Sequence, residues 1–134
     1  MKVLLYAAEK NKAGKRLEKK IKATINGIDL QIYRTIKTLV HKLNQFAAVG
    51  HGDIVVLLTS SKKELQNLIS FRHLINNMRV IIILPDMEKD TIAKGHLLRP
   101  RFLTFADKNF EMATAVLSNM IANNCQQTDE RMTQ

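Results

Sequence analysis

Glu9, Thr59, Ser60, Asp86 and Asp107 are the carboxylates and hydroxyls that stand just beyond the apolar runs of this chain. Carboxylates can hold divalent cations or move protons, and hydroxyls can meet phosphate groups. Thr59-Ser60-Ser61 invites a hydrolase or phosphate-site reading, but no glycine-rich loop accompanies it and no motif ties a histidine to it. A strand end followed by a helix cap explains these hydroxyls better. Ser61-Lys62-Lys63-Glu64 has the spacing of a capping box, in which the serine hydroxyl and the glutamate carboxylate each satisfy an orphan amide. Gly14-Lys15 lacks the first glycine of a nucleotide-binding loop. His41 lies off the apolar stripe of its helix and is not a site. The single cysteine, Cys125, excludes an intramolecular disulfide and any multi-cysteine metal cluster, and it is assigned no role.

A second set of residues could hold anions. The formal charge is +9, and residues 1–45 carry 11 of the 21 Lys and Arg against only Glu9, Glu18 and Asp29. Lys15, Arg16, Lys19 and Lys20 lie on the outer surface of a helix whose inward stripe is Ala13, Leu17, Ile21 and Ile25. Such a face is either simply solvated or a surface for nucleic acid, a membrane or an acidic protein. No aromatic residue interleaves the cations to stack bases. A third set, Leu97, Leu98, Arg99 and Arg101, combines large apolar side chains with guanidinium groups, a composition enriched at protein interfaces. Leu97 and Leu98 can equally fold back as core.

The elements that must position these residues follow from hydrophobic pattern. Ile54 to Leu58 is apolar without alternation, as in a strand covered on both faces, and Val3 to Ala8 and Val80 to Leu84 have the same character. Ile28 to Arg34 alternates like an edge strand, and Phe102 to Ala106 forms the last strand. Each strand precedes a helical segment. The first helix is capped by Asn11 and the second by Thr35. The third runs on from Ser61 with Leu65, Leu68, Ile69, Arg72 and Ile75 inward, until Asn76-Asn77. The fourth stops at Gly95. The last, capped by Asp107, carries Ala113, Val116, Leu117, Met120 and Ile121 inward. This is an α/β chain whose repeated strand-helix units build a three-layer αβα domain around a five-stranded parallel sheet. With the mixed strands at the edges, the order is 2-1-3-4-5, and ligands would sit at the carboxyl ends of the central strands.

At 134 residues and 46% hydrophobic content, a single domain over residues 1–122 with a polar, fraying tail over 123–134 is expected. No apolar run approaches the ~20 residues of a membrane span, and no apolar signal segment follows Met1-Lys2, so a cytoplasmic location is expected.

The order of units and the placement of strands resemble the receiver domain of bacterial response regulators over roughly residues 1–122. That family carries an acidic pair after strand one, a phosphoacceptor aspartate after strand three, a hydroxyl after strand four and a lysine after strand five. Here Ala7-Ala8, Leu58 or Thr59, Leu84 and Phe105 occupy those places, with Glu9 the nearest carboxylate and Lys108 the nearest lysine. The resemblance therefore implies a degenerate pseudo-receiver, without cofactor or catalysis, acting as a protein-interaction module in signalling. It also implies homodimerisation through helix four, strand five and helix five. Flavodoxins share the winding, but the segment after strand one lacks their phosphate-cradling loop. Two alternatives stay open: nucleic-acid or acidic-surface binding through the basic first helix, and a small-ligand or enzymatic domain at the strand ends.

Overall fold

The computed structural model of the chain describes residues 2–8, 12–46, 53–75, 78–105 and 110–133, without the side chains of 45, 46 and 123–133. Strands β1 (Lys2–Ala7), β2 (Asp29–Tyr33), β3 (Ile54–Leu58), β4 (Arg79–Leu84) and β5 (Phe102–Phe105) alternate with helices α1 (Ala13–Thr24), α2 (Ile36–Phe46), α3 (Lys62–Ile69), α4 (Lys89–His96) and α5 (Glu111–Thr133). The sheet is parallel, in the order β2-β1-β3-β4-β5. This is the flavodoxin-like arrangement expected from the apolar runs.

The two faces of the sheet are separate cores. Val3, Leu5, Ala7, Ile54, Val56, Leu58, Ile81 and Ile83 pack against Leu17 and Ile21 of α1 and Ala113 and Leu117 of α5. The alternate residues Leu4, Tyr6, Val55, Leu57, Val80, Ile82 and Leu84 meet Leu39 and Leu43 of α2, Leu65 and Leu68 of α3, and Leu98. Each central strand is buried on both sides because helices cover both faces, which is why it carries no polar alternation.

Several helix boundaries differ from expectation. Thr35 does cap α2, its Oγ1 accepting from the Thr38 amide at 3.1 Å. The residue before α1 is Lys12, which makes no side-chain cap, and Asn11 lies outside the described residues. α3 ends at Ile69 rather than near Ile75. Ser70 Oγ reaches back to the Gln66 carbonyl at 3.4 Å, and the chain tightens into a 3₁₀ turn at Arg72–Leu74, leaving Arg72 exposed rather than inward. Asn76 and Asn77 lie outside the described residues. Gly95 does not stop α4 but lies buried inside it, where a Cβ would come within 2.9 Å of Leu103 Cδ1 and 3.2 Å of Leu84 Cδ2. Its hydrogen atom lets the helix approach the sheet. α5 runs on through the polar stretch to Thr133, a segment containing neither glycine nor proline.

Candidate functional site

At the carboxyl edge of the sheet, Ala7 is in register with Leu58 and Leu84 with Phe105. These four strand ends present apolar side chains. Of the polar residues expected there, Thr59, Ser60 and Asp86 are described, whereas Glu9, Asp107 and Lys108 lie outside the described residues.

Thr59 is 2% exposed, and its Oγ1 donates to the Ile83 carbonyl at 2.8 Å while its amide donates to the same oxygen at 3.0 Å. The hydroxyl thus extends the β3–β4 ladder and points away from any nucleophilic role. Ser60 and Ser61 serve the start of α3. The Glu64 amide donates to Ser61 Oγ at 3.2 Å, and the Glu64 carboxylate accepts from the Ser60 amide at 3.0 Å and the Ser60 hydroxyl at 3.2 Å. This is the expected capping box with its carboxylate reaching one residue further back.

The same carboxylate meets Tyr6, a residue that pattern reading treats only as part of an apolar strand. Burial pushes the Tyr6 phenol well above its ordinary value, and the charge of Glu64 and a hydrogen bond with it push further in the same direction. A tyrosine closing an otherwise aliphatic strand was the available signal, but its partner lies on a different element. The neutral phenol is favoured in the folded chain, so its stabilisation is fully present below pH ~10, the unfolded value, and is lost as pH rises above it. Stability measured by denaturant titration is expected to fall above that pH by at most about 1.4 kcal/mol per pH unit from this group, and Tyr6→Phe to remove that part of the slope. An unchanged alkaline slope in Tyr6→Phe would contradict the assignment.

Beside this network, Asp86 Oδ1 accepts from the Glu88 amide at 3.0 Å, closing the turn between β4 and α4. The Thr91 hydroxyl is buried and faces Asp86 without closing a hydrogen bond of ordinary length. That hydroxyl first, then the Glu88 amide, hold the Asp86 carboxyl below the usual carboxylate range. Lys62 forms an ion pair with Glu88, tying the start of α3 to that of α4, and this partner holds the ammonium above its ordinary range. No group of three or more His, Cys, Asp or Glu side chains suited to a metal ion occurs among the described residues. Among the described residues of this edge, Thr59, Ser60, Ser61, Glu64 and Asp86 are engaged in extending the sheet, closing a turn and starting a helix.

The two surface sets are divided by the fold. On α1, Lys15 and Lys19 are exposed four residues apart, Lys20 is half-buried, and the Arg16 guanidinium sits 5.8 Å from the centre of the Phe110 ring. Arg16 is thereby drawn toward α5. On the opposite flank, Glu18 binds Lys22 at 3.2 Å and Arg34 at 3.0 Å, so part of the positive charge of this region is compensated. Gly14 has a packing role: it lies against Ala7, which accounts for the glycine of Gly14-Lys15 without a phosphate.

After α4, Leu97 is 50% exposed and Leu98 only 2%, so Leu98 belongs to the core and is unavailable to a partner. Arg99, at φ 51°, and Arg101 are exposed. No helix among the described residues is long and apolar enough to cross a membrane. No protein-family model, no curated protein and no solved structure matches the chain.

Proposed function

We propose that this chain is a pseudo-receiver: a doubly wound scaffold without an aspartyl-phosphate switch, serving as a protein-interaction module in signalling or regulation. The observation that carries the reading is the apolar rim formed by Ala7, Leu58, Leu84 and Phe105, where a phosphorylatable receiver needs a metal-holding carboxylate, an acceptor aspartate, a hydroxyl and a lysine. Alanine and leucine can neither coordinate magnesium nor form an acyl phosphate. The adjacent hydroxyls of Thr59 and Ser60 are committed to Ile83 and Glu64. In this reading the function lies on the surface. The partner-facing surface in this reading is α4, β5 and α5, engaged by a second copy about a two-fold axis. β5 is an edge strand, and exposed Leu97, Arg99 and Arg101 lie on the approach to it.

Incubation with acetyl phosphate and magnesium, followed by intact mass measurement, is expected to leave the mass unchanged. Gain of one phosphoryl group, especially one released by hydroxylamine, would overturn the reading.

A further inference from the structure

We propose that the cleft between α2 and α3 is a docking site for an acidic segment of a protein partner that carries large apolar anchors. The proposal does not rest on the pseudo-receiver reading, because the cleft is built by two helices and not by the strand ends. α3 lies against α4, whereas α2 meets the 3₁₀ turn beyond α3, and a groove of about 440 Å³ opens between the two helices. Half-buried Ile36, Val40 and Phe71 line it together with exposed Lys37, Asn67 and Ser70. Its size is at the lower end of ligand-binding clefts and suits one or two anchoring side chains.

Charge decides what kind of segment fits. α2 carries Lys37, His41 and Lys42 and no carboxylate. The stretch from Lys62 to Ile75 carries Lys63, Arg72 and His73, besides Lys62, which is paired with Glu88, and one carboxylate, Glu64. That carboxylate is engaged by the Ser60 amide and hydroxyl. Lys63 precedes Asn67 by one helical turn and so shares its stripe beside the groove. The exposed ammonium groups of Lys37 and Lys63 therefore flank the apolar walls, one on each helix. The complement is an amphipathic segment with leucine or phenylalanine at helical spacing and carboxylates around them, whereas a basic segment would meet like charge at Lys37 and Lys63.

The test uses three fluorescein-labelled peptides: one with Leu and Phe at i, i+3 and i+7 and Glu at most other positions, the same peptide with Lys for Glu, and the Glu peptide with Ser for the apolar residues. Binding is read by anisotropy, and its location by amide chemical shifts of the ¹⁵N-labelled protein. Saturable binding of the first peptide alone, with shifts centred on Ile36, Val40 and Phe71, is the expected result. The double variant Lys37→Glu/Lys63→Glu, changed only at partly or fully exposed positions, should weaken binding by at least about tenfold with its circular dichroism intact. Absence of saturable binding, equal binding of either control peptide, or shifts centred on the α1 cations would overturn the proposal.

Discussion

Leu98→Asp is expected to unfold the protein, and Leu97→Asp, one residue earlier, to leave the melting temperature nearly unchanged while abolishing self-association. Leu98 is 2% exposed and belongs to the core that includes Leu65, Leu68 and Leu84. Removing a buried leucine side chain alone costs about 2–5 kcal/mol. A carboxylate in its place adds desolvation with no partner to offset it. Against a typical total stability of about 5–15 kcal/mol, the sum is disabling. Leu97 is 50% exposed, so its replacement removes little buried area, and its consequence is confined to whatever α4, β5 and α5 contact. Thermal unfolding by circular dichroism separates the two variants, and sedimentation at micromolar concentration reads the proposed dimer. Arg101→Glu, also at an exposed position, should dissociate it as Leu97→Asp does. A monomeric parent, or a dimer that survives both surface changes, defeats the two-fold contact. A Leu98→Asp variant that melts with the parent would contradict the position of Leu98 in the core.

The same pair shows where sequence pattern stops. β3 and the apolar parts of β1 and β4 were legible because strands covered on both faces must be apolar at every position, and the mixed β2 and β5 had to be edges. Leu97 and Leu98 carry the same chemistry, and only backbone geometry distinguishes them. α4 closes with 3₁₀-type bonds from the amides of Leu97 to Lys94 and Leu98 to Gly95, which turn one leucine outward and the next inward. Gly95 was ambiguous for a related reason: a glycine near the end of a helical segment marks either a stop or a close approach, and the atoms that decide, on Leu84 and Leu103, come from other elements. At the strand ends, the hydroxyls of Thr59, Ser60 and Ser61 were legible as cap and strand-end groups. The link from Tyr6 to Glu64 was not, because it joins a strand to a helix across the fold.

Gly14→Ala is expected to destabilise the protein, although alanine is the better helix former by about 1 kcal/mol. A Cβ at Gly14 would lie 2.7 Å from the Ala7 Cβ, an atom fixed to the backbone of β1 that no rotamer change can move. The helix itself must shift. Moving α1 outward would loosen Leu17 and Ile21 from the core and strain the 3.0 Å contact between Glu18 and Arg34. Overpacking of this kind costs about 1–3 kcal/mol, so the propensity gain is outweighed. The melting temperature should fall by several degrees, at roughly 3–5 °C per kcal/mol for a domain of this size. Gly95→Ala meets instead the terminal methyl groups of Leu103 and Leu84, and Leu103 is half-buried on an edge strand where its side chain can rotate. Its stability should stay within about 1 kcal/mol of the parent, the clash being offset by helix propensity. The double variant Ala7→Gly/Gly14→Ala removes the obstructing atom and should recover part of what Gly14→Ala loses, giving a favourable coupling between the two sites. Equal stability of Gly14→Ala and parent, or strictly additive effects in the double variant, would show that α1 is not seated on Ala7 at this distance.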